Sequence, residues 1–126
     1  MTVLYESISI ERPLKEVFAY AANFANCAEW DSTAFESTKT SPGPLGVGST
    51  FDVRCKVSLG SIKLQYRITD WQPDKSVTLV GECSWFTVTD VISFSYQNHK
   101  TTVDYTATFD YKIQVDKAHC LSTFQR

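Results

Sequence analysis

Asp90 is the residue whose position in the sequence most strongly suggests chemistry. In an extended strand it has the same parity as Phe86, Val88, Ile92 and Phe94, so it falls on their apolar face. A carboxylate facing an apolar interior must be paired, hydrogen-bonded or kept neutral. Two interpretations are open. In the first, Asp90 lies inside a ligand cavity as a polar anchor or an acid–base group. In the second, a β-bulge turns its side chain outward. It is our best candidate for a catalytic residue.

Aromatic residues on neighbouring strands accompany this carboxyl group. Tyr66, Tyr105 and Tyr111 have inward parity, and each can either offer its hydroxyl to a ligand or simply fill the core. Trp30 and Trp85 either rim a cavity or hold the ends of a short helix and a strand in place. The predicted ligand-binding residues are Phe18, Trp30, Tyr66, Trp85, Asp90, Phe94, Tyr105 and Phe109.

Other reactive residue types lack the spacing that metal or nucleophile chemistry needs. The cysteines are Cys27, Cys55, Cys83 and Cys120, with no CxxC pair among them. His99 and His119 stand apart from further ligands, whereas a metal needs three or four. The loop 43–48 lacks the Lys-Ser/Thr of a phosphate-binding loop. We therefore predict no metal and no cofactor, and four reduced thiols, with Cys55 buried and inert.

Charge and composition exclude several classes of partner. The chain of 126 residues has a formal net charge of −2 and no cluster of Lys and Arg, which argues against nucleic acid as a partner. No apolar run approaches the roughly 18 residues of a membrane-spanning helix, and the start does not resemble a signal peptide. These features predict one domain over residues 1–126, with no integral membrane segment and a cytoplasmic location.

The elements that must position these residues follow from periodicity. Residues 3–11 read as a strand, and Pro13 then opens a helix with Val17 and Phe18 on its apolar side. A short second helix, with Asn26 and Glu29 as its capping box, runs to about Trp30. From residue 33 onward the period is two, and short turns join the strands into an antiparallel sheet. We expect a cavity between the first helix and this sheet.

Two stretches carry a family resemblance. The first runs from Ile10-Glu11-Arg12-Pro13-Leu14-Lys15-Glu16-Val17-Phe18-Ala19-Tyr20 to Trp30-Asp31, and the second is Gly46-Val47-Gly48-Ser49-Thr50-Phe51. Over residues 3–112 the chain resembles the polyketide cyclase/dehydrase branch of the START/Bet v 1-like (SRPBCC) superfamily. The resemblance implies an α+β helix-grip fold, in which a curved antiparallel sheet of about six to seven strands wraps around helix. Only about a dozen residues follow Ile113, so the usual C-terminal helix is expected to be short or absent.

Three functions are open at this point. The first is a binding or carrier domain for a small hydrophobic molecule, such as a lipid, a quinone or a polyketide-like aromatic compound. The second, implied by the family, is a cyclase or dehydratase that uses Asp90 with Tyr66 or Tyr105 as acid–base groups. The third is a protein-interaction module. With a shortened final helix, the apolar face is covered either by a second copy in a homodimer or within a monomer.

Overall fold

One antiparallel sheet of seven strands dominates the structure, in the order β1-β7-β6-β5-β4-β3-β2. The computed structural model describes residues 1–112. The elements in chain order are β1 (Thr2–Ile10), α1 (Leu14–Ala21), a 3₁₀ turn (Phe24–Asn26), α2 (Cys27–Trp30), β2 (Ala34–Lys39), β3 (Thr50–Val57), β4 (Gly60–Gln72), β5 (Ser76–Glu82), β6 (Phe86–Gln97) and β7 (Lys100–Tyr111). The predicted α+β helix-grip fold is confirmed. The expected shortening of the C-terminal helix lies outside the described residues.

Tight turns join β3 to β7 into a simple meander, and a longer loop from Lys39 to Thr50 adds β2 beside β3. Asn98 and His99 both have positive φ, at 54° and 62°, and they join the paired residues Gln97 and Lys100. Positive φ at both central positions is the mark of a type I′ hairpin, whose twist matches that of the strands. His99 is therefore part of a hairpin turn, which agrees with the short turns expected between the strands.

A bulge in β4 changes which residues face the core. The register with β5 shifts between Ile68 and Asp70, so Thr69 is an extra residue in the ladder. Ile68 and Trp71 therefore both lie on the concave face, although strict alternation would place them on opposite faces. The shift pairs Trp71 with Val77, and this places the indole ring in the core beneath α1.

The two helices and the 3₁₀ turn cover only part of the concave face. Val17 and Phe18 are the buried residues of α1, and they pack into the core formed by that face. Pro13 accepts the first helical hydrogen bond, from Val17 N at 3.1 Å. Because α1 has only eight residues, it covers one end of the sheet and leaves the other end to α2.

The predicted capping box of the short helix is wrong. The Asn26 side chain makes no capping bond, and its Nδ2 instead donates to the Tyr20 carbonyl at 3.0 Å. Asn26 already has helical dihedral angles as the last residue of the 3₁₀ turn, whereas a capping residue is usually extended. Asn23 is the residue that caps, accepting from Ala25 N at 3.1 Å. Glu29 accepts from the Tyr20 hydroxyl.

Candidate functional site

A groove of about 910 Å³ lies on the concave face at the end beside α2. Its volume is within the range of small-molecule sites, roughly 300–1,000 Å³. Strands β1, β3, β4, β6 and β7 and the residues that follow α2 form its walls. The lining includes Trp30, Cys55, Tyr66, Asp90, Tyr105 and Phe109.

Asp90 lies on the floor of this groove. It pairs with Leu79 on one side and Ala107 on the other, in ladders whose register is unbroken. Its side chain therefore faces inward and is 0% exposed, and the outward-turning bulge considered from the sequence is wrong. The Tyr105 hydroxyl donates to Asp90 Oδ2 at 2.7 Å. Asp90 Oδ1 is buried and has no hydrogen-bond partner among residues 1–112.

The protonation of Asp90 is finely balanced. Burial raises its pKa to about 7, against the lowering effects of the Tyr105 and Tyr66 hydroxyls, while the charge of Asp31 raises it further. Both protonation states are therefore accessible near neutral pH. Burial also raises the pKa of Tyr105 and of Tyr66 well above the ordinary tyrosine value, so both hydroxyls keep their protons. The site therefore has one carboxyl group that accepts a hydrogen bond from Tyr105 and whose pKa the nearby Tyr66 hydroxyl also lowers.

Gly81 leaves the space that the Tyr66 ring occupies, and the sequence analysis did not single out this glycine. The two residues face each other across β4 and β5. A Cβ at Gly81 would lie 2.7 Å from ring carbons of Tyr66, closer than a real contact. The ring therefore needs the space that glycine leaves beside it. The available sequence signal was a glycine inside an apolar strand, which often marks such a close approach.

Trp30 closes the groove from the side of α2. Its ring makes T-shaped contacts with Phe24 and Tyr105, with centroids 5.8 Å and 5.7 Å apart. Both interpretations from the sequence therefore apply, because Trp30 anchors the short helix and also lines the groove. Its indole Nε1 is buried and has no hydrogen-bond partner in the described part of the chain. Residues that line the groove thus carry one donor and one acceptor without a partner in residues 1–112.

Three predicted ligand-binding residues are absent from the groove lining. Phe18 and Phe94 pack at a centroid distance of 5.1 Å, and Phe18 also contacts Trp71 at 5.2 Å. These contacts fill the space between α1 and the sheet, so the predicted position of the cavity is wrong. Trp85 is half-buried at the β5–β6 connection, where its carbonyl accepts from Lys112 N. Strand parity predicts the face of a side chain but not where along the strand a helix will cover it.

The described cysteines are all free. Cys27, Cys55 and Cys83 form no disulfide, while Cys120 and His119 lie outside the described residues. Cys55 is half-buried rather than buried, because it lines the groove. Burial raises the pKa of its thiol to about 12, which keeps the thiol protonated near neutral pH and slows its reactions there.

The outer face of the sheet and the remaining side chains provide no stronger site. A depression of about 500 Å³ on that face is lined largely by polar residues, including Gln65, Arg67 and Glu82. The only buried side-chain N or O atoms without a partner in residues 1–112 are Trp30 Nε1 and Asp90 Oδ1. Within the same residues, no three His, Cys, Asp or Glu side chains converge as metal ligands. No helix there is both long and apolar enough to cross a membrane.

Solved structures share this fold at low sequence identity. Zhui aromatase/cyclase from Streptomyces sp. R1128 is similar with a TM-score of 0.74 and 11% identity, over 93% of this chain and 72% of that one. TTHA0849 from Thermus thermophilus has a TM-score of 0.77 and 11% identity, over 96% and 82%. DR_A0006 from Deinococcus radiodurans has a TM-score of 0.68 and 14% identity, over 87% and 83%.

Sequence comparison adds the family. No curated protein matches the chain significantly. The profile of the family described as polyketide cyclase/dehydrase and lipid transport, however, matches residues 1–119. That match spans nearly all of the 126 residues and agrees with the fold. The chain therefore belongs to the polyketide cyclase/dehydrase and lipid transport family.

Proposed function

We propose that this protein binds a small, largely apolar molecule in the concave groove and serves as a binding or carrier domain. One observation carries the proposal: a groove of about 910 Å³ whose open surface is mainly aromatic and aliphatic, although polar residues such as Glu6, Asp31 and Lys56 also line it. Sites of this composition suit lipids, quinones and aromatic compounds. The family description, which names both polyketide cyclases and lipid transport, supports the same class of ligand.

A groove-filling substitution tests this function. Ala107 is buried in the lining of the groove, so Ala107→Phe should place a ring in the ligand space and abolish binding of naphthalene in a calorimetric titration. The matched control is Thr108→Phe, one residue along β7 and on the opposite face, which should bind like the original protein. Far-UV circular dichroism checks that each variant is folded. If Ala107→Phe does not fold, Ala107→Leu is the smaller replacement. Equal binding by the groove-filling and control variants would exclude the groove as the site.

An enzymatic function is the second candidate, because Asp90 and Tyr105 form an acid–base pair. The hydrogen bond of 2.7 Å and a carboxyl pKa of about 7 are what proton transfer at neutral pH requires. Asp90 would accept or return a proton on the substrate, and Tyr105 would stabilise the ionised carboxylate. Asp90→Asn should then lower the turnover of a cyclisation or dehydration substrate by about a hundredfold or more. Unchanged turnover would restrict Asp90 to ligand binding.

Other predictions from the sequence stay predictions. They are the single domain over residues 1–126, the homodimer, the protein-interaction module and the cytoplasmic location. Sedimentation equilibrium over a wide concentration range tests the homodimer: a constant monomer mass at high micromolar concentration would contradict it.

A further inference from the structure

Two unpartnered polar atoms in the groove indicate more than an apolar ligand. Asp90 Oδ1 and Trp30 Nε1 both belong to residues that line the groove, and both atoms are buried without a partner in residues 1–112. A buried polar atom without a hydrogen bond destabilises the folded protein. Two such atoms in one groove, one a carboxyl oxygen and the other an N–H donor, are explained together if a ligand completes both hydrogen bonds.

Tyr105 connects the two groups and fixes their orientation. Its ring packs edge-on against Trp30, and its hydroxyl donates a hydrogen bond to Asp90 Oδ2. The second carboxyl oxygen makes no hydrogen bond within residues 1–112, although the Tyr66 hydroxyl is near enough to lower the pKa of Asp90. The Trp30 ring is held on its other side by Phe24, so the indole N–H has a defined position as well.

We propose that Asp90 and Trp30 select an aromatic ligand that carries a hydroxyl group, such as a phenol. The hydroxyl donates to Asp90 Oδ1, and a ligand oxygen accepts from Trp30 Nε1. A hydroxyl has one donor and two acceptor lone pairs, so it carries the groups that both contacts require. The aromatic part is favoured because the rings of Trp30, Tyr105 and Phe109 line the same groove. This inference rests on the proposed function and adds the chemical class of the ligand.

The geometry also couples ligand binding to the charge of Asp90. A hydroxyl that donates to Oδ1 favours the ionised carboxylate, because hydrogen bonds to charged groups are the stronger ones. A ligand without a hydroxyl leaves Oδ1 without a donor and replaces the water of the groove by apolar surface, which disfavours the charge. The two kinds of ligand should therefore respond to pH in opposite directions around pH 7.

No other described group near Asp90 is expected to reproduce this response. The titratable groups that interact with Asp90 are Tyr66 on β4, Tyr105 on β7, Asp31 after α2, Cys27 on α2 and Cys55 on β3. Burial raises the pKa of both tyrosines and both cysteines far above neutrality. Glu6 and Lys56 also line the groove, and both residues are exposed.

Binding of 2-naphthol and naphthalene, measured by calorimetry, tests the inference. We expect 2-naphthol to bind at least about tenfold more tightly than naphthalene at about pH 8, because it makes two hydrogen bonds that naphthalene cannot. Between about pH 6 and about pH 8 the affinity for 2-naphthol should rise severalfold, while the affinity for naphthalene falls. In ¹H–¹⁵N spectra, 2-naphthol should shift the Trp30 indole signal further than naphthalene does.

Two conservative variants separate the two contacts. Trp30→Phe keeps a ring in place but removes the N–H, and Asp90→Asn keeps the shape but removes the charge. The first should reduce the preference for 2-naphthol to within about threefold, and the second should abolish the pH response of both probes. Trp71→Phe, in the packed end of the core, and Asp110→Asn, exposed on β7, are the matched controls and should behave like the original protein.

The outcomes distinguish the inference from the proposed function. Equal affinity for both probes would overturn the hydroxyl preference and leave the apolar groove standing. Retention of the original preference by Trp30→Phe, or of the original pH response by Asp90→Asn, would overturn the role of that residue. Failure of both probes to bind the folded protein would overturn the proposed function together with the inference.

Discussion

The two ends of the concave face are built from the same kind of alternating strand, yet one is core and the other is a groove. Beneath α1, Phe18, Phe94 and Trp71 pack at centroid distances of 5.1–5.2 Å. Beside α2, Trp30 and Asp90 leave a groove of about 910 Å³. The difference lies in the helices: the eight-residue α1 fills its end, whereas the four-residue α2 contributes a single large ring.

This comparison separates stability from binding. At the α1 end, aromatic rings are buried against one another and should contribute most to the free energy of unfolding. At the groove end, a buried carboxyl oxygen and an indole N–H remain unpartnered among the described residues, which costs stability. Proteins commonly accept such a cost where a ligand repays it by completing the hydrogen bonds. Substitutions at the two ends should therefore affect different measurements.

The largest expected effect comes from truncating a ring at the packed end. Phe18→Ala should lower the free energy of unfolding by about 3–5 kcal/mol, because it leaves a cavity between Trp71 and Phe94. Phe109→Ala, at the half-buried groove end, should cost about half as much but should weaken 2-naphthol binding. Chemical denaturation and calorimetry measure the two quantities. The separation of stability from binding is contradicted if Phe18→Ala weakens binding by the folded protein more than Phe109→Ala does.

The second-largest effect should be a pH dependence of the free energy of unfolding that comes from Asp90. The pKa of Asp90 is about 7 in the folded protein against an ordinary value of 3.8, so the folded state holds a proton that the unfolded chain has released. Its contribution to stability is therefore present below about pH 4 and is lost as the pH rises to about 7. At about 1.4 kcal/mol per pH unit, Asp90→Asn should gain up to about 4 kcal/mol over this range relative to the original protein.

Denaturation curves at several pH values measure this gain. Asp110→Asn, a carboxyl-to-amide change at an exposed position on the same sheet, should follow the original profile. Parallel profiles for Asp90→Asn and the original protein would show that the pKa of Asp90 is not raised by folding.

Gly81→Ala should have an intermediate effect. The new methyl group would lie 2.7 Å from the Tyr66 ring, so the ring must move, at a cost of about 1–3 kcal/mol in the free energy of unfolding. Moving Tyr66 also removes one of the hydroxyls that lower the pKa of Asp90, which should rise further. At Gly46 an added Cβ meets no atom within 4 Å, so Gly46→Ala is the control with a small effect. Equal melting temperatures for the two variants would contradict the close approach at Gly81.

The smallest effect is a change in thiol reactivity. Cys55 lines the groove and Cys83 lies outside its lining, so bound 2-naphthol should slow alkylation of Cys55 by about a fewfold and leave Cys83 unchanged. Peptide mass spectrometry after iodoacetamide treatment at alkaline pH resolves the two sites. Equal protection of both thiols would show that the ligand acts on the whole molecule rather than in the groove.

Several features of the site could be predicted from the sequence. The parity of β6 and β7 placed Asp90 and Tyr105 on one apolar face, and the structure joins them by a hydrogen bond. Trp30 and Tyr66 were also placed correctly, and both line the groove. Parity succeeds because successive side chains of a strand alternate between faces, a property that depends only on local backbone geometry.

Other features depended on contacts between distant segments. The bulge at Thr69 arises from pairing with β5, and it moves Trp71 to the concave face. Gly81 matters only because Tyr66 lies opposite it on another strand. The sequence therefore determined the antiparallel sheet, its apolar face and the residues on that face, because these follow from local periodicity. Only the tertiary structure decided that α1 fills one end and that Asp90 and Trp30 line a groove at the other. The reason is that the length and placement of the helices set where along the strands space remains.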